Sequence, residues 1–307
     1  MGASKALHLR LPNGVYVPSL AFFNPQTEDV DAATLERHLI RLVNAGVAGI
    51  VVHGSNGEAV HLSHSERSAM IRIARDAILH EGSDSRIPLI AGCGAHSTRE
   101  ALQLCVDAAK AGASHALVIQ HFYDVADRSP IPLLVYNFPA AASGRDLSSD
   151  VILSIAKHPN VVGVKLTCGN TGKLARIAAD APDGFFVSGG SADFILQGQV
   201  VGAHGTISGL ANIAPRCCVR IMQLFEQGRL REARELQALV AKADWVAIQT
   251  GFVGVKAAMV HFSQYGGVPR KPCVEPTEEG MKRISSGFEE IINLERSFEE
   301  ADVAGSH

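Results

Sequence analysis

The sequence has few aromatic residues, little net charge and no long apolar run. Aromatic residues fill 6% of the 307 positions, tryptophan occurs once, and the formal net charge is −3. A nearly neutral chain lacks the basic surface that binds nucleic acid, and no window holds enough consecutive apolar residues to predict a membrane span. We therefore expect a soluble protein that binds neither nucleic acid nor a membrane.

The chain also lacks the cysteine spacing of a structural metal site. None of its six cysteines forms a CxxC pair, so free thiols in a reducing compartment fit better than disulfides or structural zinc. The first 14 residues contain no apolar core of signal-peptide length and are too brief to indicate a transit peptide. These features predict a cytoplasmic protein.

Hydrophobic residues make up 47% of the chain, which is enough for a large core. Short apolar runs alternate with longer segments of helical periodicity, as in a parallel sheet with helical crossovers. The runs predict strands at 17–23, 48–52, 87–91, 116–119, 132–136, around Lys165, 185–187 and 204–207. Eight such strands predict an α/β fold, a (β/α)₈ TIM barrel.

Two parts of the chain depart from a regular barrel. Between the fourth and fifth strands, residues 120–130 leave about a dozen positions, near the minimum for a crossover, so the fourth βα unit is expected to be shortened. Helical patterns at 215–227, 230–249, 253–262 and 278–301 exceed what the last barrel helix requires. We therefore predict a barrel over residues 1–229 and a C-terminal helical extension over 230–307, packed on the barrel.

The sixth strand carries the most informative residue, Lys165. It lies near the end of the apolar run NVVGVKLT, and lysine is almost never buried without a partner. Burial disfavours the charged form, so a neutral amine can become available to attack a ketone and form a Schiff base. The alternative is a lysine that extends its ammonium to solvent or pairs with a carboxylate.

Polar residues at the ends of other strands are expected near Lys165, because chemistry in a TIM barrel takes place at the carboxyl ends of the strands. Ser55 and Asn56, between glycines, can offer a hydroxyl and backbone N–H groups to a small carboxylate. Tyr136 has a phenol that can relay a proton. With Lys165 and Thr167, these residues suit imine formation with a 2-oxo acid and the making or breaking of a carbon-carbon bond.

Two other interpretations use neighbouring residues. His53, Glu58, His61 and His64 lie close enough in sequence to suggest a metal site and a metal-dependent lyase, although their spacing does not match HExxH and solvated loop residues explain them more simply. The SGGS segment at 188–191 can cradle a phosphate, but no lysine or arginine follows it at once, which favours a pyruvate pocket or a tight turn.

The ordered motifs GSNGE, YNFP, VVGVKLT, SGG and GTISGLAN resemble those of the dihydrodipicolinate synthase and N-acetylneuraminate lyase family. These are pyruvate-dependent class I aldolases and lyases built on a TIM barrel, and the resemblance extends over about residues 14–292. It implies small-molecule substrates, a 2-oxo acid and an aldehyde. It implies neither a metal nor another cofactor, and it leads us to expect a homo-oligomer, a dimer or a tetramer.

The resemblance also implies roles for individual residues. Lys165 matches the Schiff-base lysine, and Tyr136 matches the tyrosine that moves protons at the imine. Ser55 and Asn56 match the pair that holds the pyruvate carboxylate and helps the proton relay, so Ser55 is expected to be catalytic as well as substrate-binding. The remaining matches are Gly189 and Ile207, whose backbone is expected beside bound pyruvate, and Thr167, which is expected to face the second substrate.

Departures from the family pattern restrict the reactions that the protein is expected to catalyse. After YNFP the chain continues AAASG, without the arginine that holds the aldehyde substrate of the synthases, and Arg145 is displaced; lysine biosynthesis is therefore disfavoured. GSNGE is closer to 4-hydroxy-2-oxoglutarate aldolase and to the fungal L-threo-3-deoxyhexulosonate aldolases. The shortened fourth unit removes most of a segment that holds a relay tyrosine in the family, and leaves only Tyr123.

We therefore expect a carbon-carbon lyase that cleaves or forms a 2-oxo-3-deoxy sugar acid or a 4-hydroxy-2-oxo acid, with pyruvate as product or substrate. One alternative is a catalytically impaired paralogue that serves as a binding or assembly protein, which the shortened unit motivates. The other is a metal-dependent lyase on the same barrel.

Overall fold

A computed structural model describes residues 10–80 and 87–305, which form a closed barrel of eight parallel strands surrounded by helices. Each strand pairs with its neighbours along the chain, and the last closes on the first, with Gly14 opposite Gly205. The predicted TIM barrel is confirmed. The strands are β1 (Gly14–Pro18), β2 (Gly49–Val52), β3 (Leu89–Gly92), β4 (His115–Val118), β5 (Leu133–Asn137), β6 (Val161–Leu166), β7 (Phe186–Gly189) and β8 (Gly205–Ile207).

Local sequence signals start the outer helices. Asp31 accepts a hydrogen bond from the Thr34 amide and caps the first helix, while Ser63 and Glu66 form the reciprocal capping box before the second. The helices are α1 (Ala32–Asn44), α2 (His64–His80), α3 (Thr98–Ala111), α4 (Phe122–Ala126), α5 (Ser149–Ala156), α6 (Thr171–Asp180), α7 (Ile195–Val200), α8 (Pro215–Glu226), α9 (Leu230–Ser263) and α10 (Glu278–Gly305).

The first strand is the least accurate prediction. It was expected at 17–23, but β1 ends at Pro18 and residues 19–23 form a buried loop. The Leu20 amide donates to the Asn212 side chain there, instead of to a neighbouring strand. This buried loop contains the apolar residues Phe22 and Phe23 and therefore continues the apolar run of the strand. Hydrophobicity alone could not show where the strand ends. The first nine residues, where no targeting segment was predicted, lie outside the described part of the chain.

The barrel interior is filled by side chains from alternate strand positions, whereas the intervening positions face the helices. Leu134 and Tyr136 of β5 point inward, and Leu133 and Val135 point outward. On β6 the pairing slips by one residue: Leu133 lies opposite Val161, but Leu134 lies opposite Gly163. This β-bulge places Lys165 opposite Tyr136, on the inward side.

The fourth βα unit is short, as predicted. Its helix α4 has five residues, and the whole connection from β4 to β5 contains residues 119–132. A loop and a full crossover helix do not fit in this length. The ring of helices is therefore thin beside β4 and β5.

Helices α9 and α10 form the C-terminal extension and pack on each other and on α8. Helix α9 is long and apolar enough to cross a membrane, although the search for long apolar runs in the sequence did not indicate a span. Its backbone leaves the helical conformation at Gly251. It is therefore two helical segments packed on the barrel. The division at residue 230 stays a prediction. All six cysteines are free thiols.

Candidate active site

Lys165 lies near the carboxyl end of β6 and is 5% exposed. Its Nζ lies 4.3 Å from the centre of the Tyr136 ring on the neighbouring strand. The face of an aromatic ring carries partial negative charge and attracts an ammonium. The structure thus brings these two predicted residues together and does not extend the Lys165 side chain to solvent.

Lys165 differs from the other buried lysines of the described chain. Lys173 is paired with Asp146, and Lys256 donates to Glu58 over 2.8 Å. Within residues 10–80 and 87–305, Lys165 has no carboxylate partner. A buried amine is normally stabilised by an opposite charge, so this position is not explained by an ion pair.

The loop after β2 presents Ser55 and Asn56 to the barrel mouth. Ser55 is exposed and, with Tyr136, lines a cavity of about 700 Å³. The amide of Asn56 packs on the backbone after β8: a Cβ built on Gly209 would lie 2.9 Å from its Nδ2. The two residues therefore stand at the same mouth as Tyr136, on the other side from β5.

Thr167 follows β6 and contacts the loop after β7. A Cβ on Gly190 would lie 2.0 Å from the Thr167 Oγ1, so only glycine fits there. That hydroxyl is buried and has no hydrogen-bond partner among the described residues. Gly189 and Ile207 are buried at the ends of β7 and β8, so both predicted backbone positions are also at the mouth.

Sequence reasoning placed Ser208, which follows β8 directly, at the barrel mouth but gave it no role. Its hydroxyl is buried without a hydrogen-bond partner in the described chain, like that of Thr167. Buried polar groups usually find partners, so these two hydroxyls are exceptions at the ends of β6 and β8. The signal was present in GTISGLAN, because the serine directly follows the strand-end isoleucine.

Sequence reasoning missed Asp244 of α9, which organises the loop after β7. Its Oδ2 accepts hydrogen bonds from the Ser191 hydroxyl and from the Ala192 and Asp193 amides. Burial raises the pKa of Asp244 to about 6, against the effect of these donors. A carboxylate beside this SGGS segment disfavours the phosphate interpretation.

The four residues of the metal interpretation do not meet at one point. Glu58 and His61 are 3.0 Å apart, but His64 lies beside Glu100 and Asp107 of α3. Burial and the nearby Arg67 lower the pKa of His53 to about 3, so this imidazole is neutral. Among the described residues no group of three or more His, Cys, Asp or Glu side chains is placed to hold a metal ion.

The structure also shows where the residues that depart from the family pattern lie. Ala141 and Tyr136 both line the cavity of about 700 Å³, and Arg145 lines a second cavity of about 240 Å³ together with residues of the β4–α4 connection and Tyr136. Tyr123 is half exposed, and its hydroxyl lies 3.2 Å from the Ser154 Oγ of α5. Tyr123 is thus directed toward α5 and away from the Lys165 site.

The sequence profile of the dihydrodipicolinate synthetase family matches residues 11–292. The chain belongs to this family. It is 52% identical to a protein of Emericella nidulans named as a mitochondrial 4-hydroxy-2-oxoglutarate aldolase, over 93% of the chain and 97% of that relative. It is 38% identical to an L-threo-3-deoxy-hexylosonate aldolase of Aspergillus niger, over 92% and 96% of the two chains.

A crystal structure of a dihydrodipicolinate synthase family protein from Coccidioides immitis superposes with a TM-score of 0.85 and 35% identity, over 94% of this chain and 98% of that one. The predicted family, the barrel and the activity class, a pyruvate-dependent class I aldolase, are confirmed. The predicted cytoplasmic location is wrong, because the Emericella relative is named as mitochondrial. The N-terminal residues carry no transit-peptide pattern clear enough to predict this location.

Proposed function

We propose that Lys165 is the amine that forms the Schiff base. The observation that supports this is its environment: it is the buried lysine of the described chain without a carboxylate partner, and it faces the Tyr136 ring at 4.3 Å. A lysine in poorly solvated surroundings can attack a carbonyl carbon. Tyr136 lies opposite Lys165 on the neighbouring strand, which supports its phenol as the proton relay.

In the cleavage direction, Nζ of Lys165 attacks the 2-oxo carbon of the substrate, water leaves, and a protonated imine forms. Tyr136 gives its phenolic proton to the departing water and, as the phenolate, accepts the proton of the 4-hydroxyl; the C3–C4 bond then breaks, and the aldehyde leaves. The electrons of that bond move into the imine and give an enamine. Protonation at C3 and hydrolysis then release pyruvate and restore the lysine.

The residues around the amine divide the substrate into two halves. Ser55 and Asn56 hold the carboxylate next to the 2-oxo group, beside the backbone of Gly189 and Ile207. Thr167 faces the half that leaves as the aldehyde. The segment 139–144 holds no arginine that could bind a carboxylate on that half, which supports an aldolase rather than an enzyme of lysine biosynthesis.

Two substrates are favoured by separate observations. The 52% identity to the Emericella relative supports 4-hydroxy-2-oxoglutarate. The unpaired hydroxyls of Thr167 and Ser208 support a 2-oxo-3-deoxy sugar acid, whose hydroxyl groups would be their partners. Pyruvate release from each compound, measured with a lactate dehydrogenase couple, decides between them through the ratio of the two kcat/KM values.

Reductive trapping tests the proposed mechanism. Pyruvate with borohydride should inactivate the enzyme and leave one adduct, which peptide mass spectrometry should locate at Lys165. Lys173 and Lys256 are internal controls, because both are buried but paired with carboxylates. An adduct on either of them, or an unmodified protein that keeps its activity, would refute the assignment of Lys165.

We also propose a mitochondrial location and a homo-oligomer. The name of the Emericella relative supports the location, and fluorescence microscopy of the tagged full-length protein with a matrix marker tests it. The exposed apolar residues Trp245 and Ile248 on α9 support self-association. Light scattering on the purified protein tests the dimer or tetramer; a monomer at micromolar concentration would contradict it.

A further inference from the structure

Glu58, the last residue of the GSNGE motif, is buried although it lies in a loop. It is 1% exposed and has a left-handed backbone, with φ of 51°, which is uncommon for a residue other than glycine. A buried carboxylate costs free energy unless charges and donors compensate it. The identity of those partners therefore shows what holds this loop.

Most partners of Glu58 come from the C-terminal extension. Lys256 of α9 is fully buried and donates from Nζ to the Glu58 Oε1 over 2.8 Å and to the Val268 carbonyl over 2.7 Å. The Arg270 amide donates to the other carboxylate oxygen over 3.0 Å. His61 lies 3.0 Å from that same oxygen. Burial lowers the pKa of Lys256, and the charge of Glu58 opposes this.

The same extension also holds the start of α2. The guanidinium of Arg270 donates to Glu66 over 2.6 Å and to the His61 carbonyl over 2.6 Å. It also packs against the Phe23 ring, 4.2 Å from its centre. The segment after α9 thus contacts the chain on both sides of the loop, before β2 and after it.

The loop itself is a tight turn with little freedom. The Glu58 amide donates to the Ser55 carbonyl over 3.3 Å, and the Gly57 amide donates to the Gly54 carbonyl over 3.1 Å. A Cβ on Gly57 would lie 2.9 Å from the Ser19 carbonyl oxygen, so the turn rests directly on the loop after β1. A shift of Glu58 is therefore passed to Ser55, three residues earlier.

We infer that the ion pair between Lys256 and Glu58 positions Ser55 and Asn56 for the carboxylate of the 2-oxo acid. The inference rests on the proposed function of those two residues. Lys256 and Glu58 are positioning residues, and the C-terminal extension is a working part of the active site. Removing the pair should weaken pyruvate binding more than it slows the chemical steps, because Lys165 and Tyr136 stand on β6 and β5, away from this turn.

The variants Lys256→Met and Glu58→Gln test the inference. We expect the pyruvate KM for condensation, and the pyruvate concentration for half-maximal borohydride inactivation, to rise about tenfold in both single variants. The kcat should stay within about threefold. Glu58→Gln keeps the size and an acceptor for the Arg270 amide, so it remains informative if Lys256→Met does not fold.

Glu295→Gln is the matched control. Glu295 is also a buried carboxylate of the extension, 3% exposed, and accepts from the Arg216 and Cys217 amides over 3.0 and 2.9 Å. It should lower the melting temperature and leave the pyruvate KM unchanged. A folded Glu58→Gln variant with the wild-type KM would overturn the inference. Failure of the proposed function would look different, because the wild-type enzyme would then give no adduct at Lys165, or an Asn56→Ala variant would keep the wild-type pyruvate KM.

Discussion

Gly209→Ala should weaken binding of the 2-oxo acid without unfolding the protein. A Cβ at this position would lie 2.9 Å from the Asn56 Nδ2 and 3.3 Å from its Oδ1. These atoms are the free end of a flexible side chain, so the amide rotates away and the barrel backbone stays in place. The backbone of Gly209 lies outside the left-handed region, so alanine adopts it without strain.

The expected change in pyruvate binding is larger than the expected change in stability. A hydrogen bond to a charged group contributes about 1.5–3 kcal/mol, so losing the Asn56 contact to the carboxylate raises the pyruvate KM about ten- to a hundredfold. Alanine restricts the unfolded chain more than glycine does, which stabilises the folded protein by about 0.4–1 kcal/mol. This stabilisation offsets the cost of moving one amide, so the free energy of unfolding changes little. The melting temperature should shift by no more than about 4 °C.

Steady-state condensation kinetics and a thermal melt on the same preparation provide the assay. Gly172→Ala is the control, since Gly172 is an exposed residue of α6 whose Cβ would contact only the ends of the Asn170 and Arg176 side chains, at 3.5 and 3.6 Å. A Gly209→Ala enzyme that melts like the control and has the wild-type KM would refute the assignment of Asn56 to the carboxylate.

Three further predictions concern single side chains. Tyr136→Phe should lower kcat by about 10²–10⁴ while pyruvate is still trapped on Lys165; a kcat within twofold of wild type would exclude the relay. Thr167→Val removes a buried unpaired hydroxyl, so the KM for the complete 2-oxo substrate should rise while pyruvate trapping is unchanged; equal rises for both would place Thr167 at the pyruvate half. Asp244→Asn should remove a pH dependence of stability. Because the folded-state pKa is raised to about 6, the stabilisation from a protonated Asp244 is complete below about pH 4 and lost as the pH rises through about 6, a change of about 2–3 kcal/mol. Urea titrations should show the variant gaining that amount over wild type across this range; a constant difference would mean that Asp244 is ionised throughout.

The parts of the site that could be predicted from sequence are those set by local pattern. Lys165 and Tyr136 each close an apolar run, and in a parallel barrel every such end lies at the same mouth. The Ser63–Glu66 capping box and the short α4 followed from spacing alone. The strand ends β2 and β5 to β8 then placed the remaining predicted residues together.

The parts that could not be predicted depend on contacts between distant segments. Glu58 and Lys256 are 198 positions apart, and their pairing follows from how α9 crosses the barrel mouth. Asp244 reaches the loop after β7 across more than 50 positions. A lysine inside the apolar segment GFVGVKAAMV was nevertheless a signal, of the same kind that drew attention to Lys165.

The β-bulge in β6 determines which way the reactive amine faces. Val162 and Gly163 together oppose Leu134, and glycine is required there because a Cβ would lie 2.7 Å from the Phe186 carbonyl oxygen. With strict alternation from Val161, the Lys165 side chain would turn outward among the helices. The one extra residue of the bulge thus keeps the amine inside the barrel and opposite Tyr136.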